Sequence, residues 1–288
     1  MKTLYLDCGM GAAGDMLTAA LLELLPDPAA FLRELNGLGL PGVRVTSAPA
    51  VKCGVTGTHV SVTVDGVEEE SHDHHGHDHD HAHHHEHDHA HEHGHEHHHE
   101  HDHTHDHDHE HHHEHDHTHE HDHGHSHGGE HHHSSLHDIE HLVRDHLDLP
   151  EPVRADILAV YGLIAQAESH AHGVPVPEIH FHEVGTLDAV ADVTAVCLLL
   201  HRLAPEEIVV SPVHVGSGQV RCAHGILPVP APATAHILRD VPIYGESVKG
   251  ELCTPTGAAL LKHFATRFGD LPVMRVQSIG YGMGSKDF

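Results

Sequence analysis

Two imidazoles stand one residue apart in His180-Phe181-His182-Glu183-Val184-Gly185. On an extended strand they point the same way. Asp188 and Asp192 follow four residues apart, on one face of a helix. Imidazoles and carboxylates clustered at a strand-to-helix turn suit a divalent metal, or a general base. The plainer alternative is one packed or capping histidine beside solvated aspartates. A second segment, Arg221-Cys222-Ala223-His224-Gly225, sets a cation, a thiol and an imidazole close together. A third, Gly9-Met10-Gly11-Ala12-Ala13-Gly14, matches G-x-G-x-x-G between a strand and a helix. Alone it suggests a dinucleotide. Prolines and a short helix, however, stand where a second parallel strand ending in an acid belongs. Asp7 and Asp15 bracket the turn and would repel a pyrophosphate. A tight turn with close helix packing is the other reading. In Thr254-Pro255-Thr256-Gly257, Thr254 caps a helix whose first residue is Pro255. That helix start offers backbone donors to an anion, although capping alone explains it. Cys8, Cys53 and Cys253 could ligate a soft metal or simply fill small core sites.

Between Ser71 and Ser134 the chain is nearly all histidine, aspartate and glutamate, with roughly 35 of the 48 histidines. Runs include His97-His98-His99 and His111-His112-His113. The tract has no apolar face, so burial cannot offset the entropy of ordering it, and a disordered loop is expected. Neutral imidazole binds zinc, nickel, copper and iron. A solubilising spacer is the alternative, but spacers use Glu, Lys and Ser. The formal charge is -30, yet the pI is about 5.8. Imidazoles titrating near pH ~6.5 explain the gap. Protons compete with metal for the same lone pairs. Flexible imidazoles follow the general affinity order, so selectivity must come from a folded site.

Without the tract about 220 residues remain, enough for one generous domain. That remainder is still acidic, near -13, and the chain has no Trp. Nucleic-acid binding is therefore discounted. No run approaches the ~20 apolar residues of a membrane span. The N-terminus is no secretion signal, because Asp7, Asp15 and Glu23 interrupt it. Five scattered cysteines fit a reducing cytoplasm.

The elements that must position these residues read as follows. Thr3 to Asp7 is a buried strand, the glycine turn follows, and a helix runs from about Asp15 to Leu25, where prolines stop it. Pro28 to Asn36 is a second helix. Val43 to Ala50 and Val55 to Val64 alternate as a hairpin. After the tract, Ser134 or Ser135 caps a helix to His146. Helices are expected over Glu151 to His172, Leu187 to Leu203, Pro228 to Arg239 and Thr256 to Phe268. A short strand or extended segment is expected over Glu178 to Glu183, two short strands joined near Pro212 within Glu207 to Val220, and a last strand over Val273 to Gly280. The whole predicts one mixed α/β domain made of residues 1–66 and 135–288, with residues 67–134 as a disordered insertion. Replacing a ~6-residue connection by ~65 flexible residues costs only about 2 kcal/mol of loop closure.

Several of these segments resemble the LarC family of nickel-insertion proteins. They are Leu4-Tyr5-Leu6-Asp7 through Asp15-Met16, Phe181 to Gly185, Arg221 to Thr234, Gly250-Glu251-Leu252, Thr254 to Leu261 and Gly280-Tyr281-Gly282. The histidine-rich insertion after the first strands fits too. The resemblance implies a nickel chelatase, a lyase by reaction class. It would insert Ni(II) into pyridinium-3,5-bisthiocarboxylic acid mononucleotide, giving the nickel-pincer nucleotide cofactor with the metal on carbon and sulfur. It also implies CTP hydrolysis. Family members usually continue into a domain that binds the cytidine nucleotide, so this chain is expected to correspond to the N-terminal portion, with CTP bound outside it. On that basis His180, His182, Glu183 and His224 are the expected folded metal ligands, with the tract histidines as the capturing arm. Asp7, Asp15, His182 and Glu183 are the expected catalytic groups. Gly9, Gly11, Gly14, Arg221, Thr254, Thr256 and Gly257 are expected to contact the nucleotide. A homo-oligomer is compatible with all of this. A non-enzymatic nickel or zinc store, in which the arm is the whole function, is the alternative.

Overall fold

The computed structural model describes residues 1–68, 134–222 and 224–287. These described residues belong to one compact unit. The expected disorder of the tract, and the ligand roles of His97 to His99 and His111 to His113, fall outside the described residues. No helix among the described residues is long and apolar enough to cross a membrane.

The folded unit mixes helices and sheets. Strand β1 (Thr3–Leu6) leads through the glycine turn into α1 (Gly14–Leu22) and α2 (Pro28–Leu35). The hairpin β2 (Val43–Lys52) and β3 (Val55–Val64) pairs in register from Val43 opposite Val64 to Lys52 opposite Val55. A short β4 (Val67–Glu68) folds back on β3. Beyond the tract, β5 (Ser134–Ser135) leads into α3 (Leu136–His141), which continues through a π-helical turn to His146. Ser135 caps it as expected: its hydroxyl accepts the Asp138 N–H, and Asp138 in return accepts the Ser135 N–H at 2.8 Å.

Helix α4 (Glu151–His172) ends at Gly173, which takes the left-handed conformation. Then come β6 (His180–Phe181) and α5 (Leu187–Leu203). Helix α5 is apolar on every side, with Val193, Val196, Leu199 and Leu200 all buried, and so serves as a central helix. Each such side chain contributes roughly 1.5–3 kcal/mol of burial. Strand β7 (Glu207–Val210) lies parallel between β1 and β14 (Arg267–Phe268). Its run Ile208-Val209-Val210 is buried, as a central parallel strand requires. Between β7 and β14 lie β8 (Val213–His214), β9 (Gly216–Ser217), the hairpin β10 (Gln219–Cys222) and β11 (Gly225–Pro228), then α6 (Pro232–Ile237), β12 (Ile243–Tyr244), β13 (Gly250–Glu251) and α7 (Pro255–Phe264).

Four boundaries depart from expectation. Val273 to Gly280 is not a strand. Val273, Val276 and Ile279 are exposed, and the segment is laid on α1 instead: a Cβ on Gly280 would sit 2.1 Å from the Ala20 carbonyl. Helix α7 stops at Phe264, because the Thr266 N–H joins the Ile208 carbonyl and leads the chain into β14. The helix expected from Pro228 covers only Pro232–Ile237. The strand expected over Glu178 to Glu183 is two residues long, since His182 leaves it with ψ -93.

Candidate functional site

The turn between β1 and α1 is closely knit. Asp7 Oδ1 accepts the Gly9 N–H at 2.9 Å, and the Cys8 carbonyl accepts the Gly11 N–H at 2.9 Å. The Ala12 N–H donates to Leu252, and the Ala12 carbonyl accepts from Thr254. Gly11 has φ 83, and a Cβ there would lie 2.0 Å from the Leu252 carbonyl oxygen. A Cβ on Gly257 would lie 2.1 Å from the Ala12 oxygen. These glycines let two backbones cross, and the Gly9, Gly11 and Ala12 amides are engaged within the protein. Burial, then the charge of Asp7, pushes the Cys8 thiol up to about 12.

At the start of α1 a carboxyl group of the protein itself takes the place of a ligand. The Asp192 carboxylate from α5 lies 2.7 Å from where a Gly14 Cβ would stand. Burial, then the Asp15 and Asp188 charges, holds its carboxyl well above the usual range, and a hydrogen bond from the Asp15 amide offsets part of this. Burial raises Asp15 too, against the pull of nearby amides, His59 and Lys52. Asp188 Oδ1, Asp192 Oδ1 and the Tyr161 hydroxyl are buried without a hydrogen-bond partner. Asp15, expected to be catalytic, thus sits in a carboxyl cluster between α1 and α5, where burial raises it and Asp192.

Elsewhere the fold collects imidazoles. The His182 ring, just past β6, meets the His224 ring edge-on, with centroids 4.6 Å apart. His224, from the β10–β11 turn, also meets His172, the last residue of α4, at 4.7 Å. His172 Nε2 lies 3.3 Å from Glu168 Oε2, one helical turn back. Burial raises the Glu168 carboxyl, against the attraction of His172 and His224. Cys222 lies in the field of Glu183, Glu251 and Glu168, and burial, chiefly, raises its thiol. His180 stays exposed on β6, where it pairs with Ser135. Of the expected ligands, then, His182 and His224 meet each other. His172 and Glu168 were missed; their i, i+4 spacing at a helix C-terminus was the available signal. Among the described residues no three His, Cys, Asp or Glu groups stand arranged around a metal position. The rings are gathered without yet converging.

A family model described as nickel insertion protein matches residues 4–288. The chain belongs to that family. It is 34% identical over 287 residues to the pyridinium-3,5-bisthiocarboxylic acid mononucleotide nickel insertion protein of Desulfitobacterium hafniense, covering 100% of this chain and 56% of that one. The protein of the same description from Staphylococcus saprophyticus is 33% identical over 285 residues, covering 99% and 56%. That from Geobacillus kaustophilus is 33% identical over 296 residues, covering 100% and 57%. The chain spans a little over half the length of these relatives. No solved structure matches it.

The other expected contacts of this nickel-insertion family member are placed as follows. Arg221 is exposed on β10. The Thr254 hydroxyl accepts the Gly257 N–H at 3.1 Å and meets the Thr256 hydroxyl at 3.0 Å, so it caps α7. A surface groove between α2 and β2, lined in part by Arg33, Asn36 and Arg44, carries no imidazole, thiol or carboxylate.

Proposed function

We propose that the chain captures Ni(II) on its histidine-rich insertion, residues 67–134, and passes it to a folded site around His182, Glu183 and His224. There it would be inserted into pyridinium-3,5-bisthiocarboxylic acid mononucleotide. The observation that carries this reading is the meeting of His182 and His224, from segments about forty residues apart, beside carboxylates. Family membership and the relatives' printed substrate support the choice of metal and acceptor.

The chemistry sets what the site must do. The two thiocarboxylates flank one ring carbon. Nickel held by both sulfurs bonds to that carbon as its proton leaves. Neutral imidazole can hold the ion loosely enough to release it to sulfur, and Glu183 or His182 is the group proposed to accept the proton. CTP is proposed as co-substrate. The engaged amides of the β1–α1 turn argue against a triphosphate there, and the nucleotide site is proposed to lie in the region of the relatives that this chain does not match. Five free cysteines agree with a reducing, cytoplasmic setting.

The test is product formation. The purified chain is mixed with nickel, the dithio-mononucleotide and CTP, with and without the remaining C-terminal region of a relative, and the nickelated nucleotide is read by mass spectrometry. Nickelated product in either mixture is the expected result. Its absence from both, with nickel still bound to the chain, would instead make the protein a metal store.

A further inference from the structure

We infer that the nickel-receiving site is a three-imidazole site formed by His172, His182 and His224, with Glu168 positioning His172 and with His180 outside it. The inference rests on the nickel reading above and changes its ligand set. Three elements that are remote in sequence each deliver one ring: the end of α4, the turn after β6, and the β10–β11 turn. His224 is the middle ring, 4.7 Å from His172 and 4.6 Å from His182. Other histidines pair, as His170 does with His236 and His141 with His146, but these are couples on their own. Among the described residues the trio alone has a ring meeting two others with a carboxylate behind it.

Glu168 gives His172 its polarity. A neutral His172 that donates its Nε2 hydrogen to Glu168 at 3.3 Å carries its lone pair on Nδ1. Ligating histidines commonly have a carboxylate on the far nitrogen in this way, which fixes the tautomer and raises ring basicity. His172 is 36% exposed and His224 lies at the surface, so an ion can reach their rings from solvent. Three neutral nitrogen donors suit a late first-row ion such as nickel and leave positions for the sulfurs of the acceptor. His180 is exposed on β6, and its strand ends before His182, so the two do not share a face.

The cysteines supply a local readout in the full chain. Cys8, Cys197 and Cys253 are buried; Cys53 is exposed; Cys222, two residues from His224, is half-buried. Nickel chloride is titrated into the full chain while iodoacetamide labelling of Cys222 and Cys53 is followed peptide by peptide. Nickel should slow labelling of Cys222 at least about tenfold and leave Cys53 within about twofold. The histidine-rich segment competes for the metal equally in every variant, so ratios of the midpoints report the folded site. His172→Ala and His172→Asn should each raise the nickel midpoint more than about tenfold. Glu168→Ala should raise it about 10- to 100-fold, as an outer-shell loss does, and Glu168→Gln, which keeps an acceptor oxygen, by less. His180→Ala should leave it unchanged. Absence of Cys222 protection, or protection equal to wild type in both His172 variants, would overturn the inference. Protection that depends on His172 without any nickelated product would leave the site standing and reject the insertion reading. Product formed equally well by both His172 variants would do the reverse.

Discussion

The β1–α1 turn and the imidazole cluster looked equally chemical in sequence, and the fold treats them in opposite ways. In the turn, the Gly9, Gly11 and Ala12 amides each have a partner inside the protein, and Asp192 fills the place an anion would take at α1. In the cluster, three rings touch at 4.6 and 4.7 Å on a surface that solvent and a metal can reach. A motif's donors serve a ligand only where the fold leaves them unfilled. The turn is a crossing of two backbones; the cluster is where metal chemistry is proposed.

The largest expected effect lies in the turn and concerns stability. Gly11→Ala sets a Cβ 2.0 Å from the Leu252 oxygen at φ 83. It should cost about 3 kcal/mol or more in urea unfolding. An unchanged unfolding midpoint would mean that the crossing is looser than described. The next effect lies in the cluster and concerns metal. His182→Ala with His224→Ala should raise the nickel midpoint about 100-fold or more, beyond the ~10–100-fold typical of outer-shell losses. Stability should move by no more than about 0.5 kcal/mol, as for surface positions. If nickel affinity holds and stability falls, the contrast between the two regions reverses.

Asp192→Asn sharpens the comparison through pH. Burial raises the Asp192 carboxyl above its ordinary 3.8, so the native state keeps a proton that the unfolded chain gives up. That contribution is fully present below the unfolded value and is lost as pH rises through the higher native one. Asparagine still offers an acceptor to the Asp15 amide. The variant should therefore be more stable than wild type near neutrality, with a flatter pH profile. Chemical denaturation between pH 4 and pH 8, on the order of the span set by ordinary carboxylate and imidazole values, decides it. Lower stability of Asp192→Asn than wild type near neutrality would show that the ionised form stabilises α1. The smallest effect is at Gly9. A Cβ there meets only Asp7 Oδ1, at 3.1 Å, and Tyr244 at 3.9 Å. Gly9→Ala should leave stability within about 0.5 kcal/mol and product formation unchanged. A large loss of product alone would restore the turn as a nucleotide site.

Much of the fold was legible because local patterns carried it. Helices α4 and α5 fall where their apolar periodicity and flanking Pro and Gly put them, and the β2–β3 hairpin where its alternation does. Elements whose fate depends on partners were not legible. Val273 to Gly280 has strand-like residues but meets α1 at Gly280, and Arg267–Phe268 left the expected helix because β7 offered it an edge. At the site, His182 and His224 stood out by the chemical density of their segments. His172 and Glu168 did not, since an i, i+4 pair of His and Glu on a helix is ordinary surface chemistry.

By itself the sequence determined the class of the protein: mixed helices and strands, a histidine-rich insertion whose side chains are of the kind that bind transition metals, and motifs specific enough to resemble a nickel-insertion family. These are properties of composition, period and local order. Tertiary structure alone decided which polar groups remain available. Hydrogen-bond satisfaction and burial depend on neighbours from elsewhere in the chain. Those neighbours, Leu252 and Asp192 in one place and His172 in the other, turned one motif into scaffold and the other into a candidate metal site.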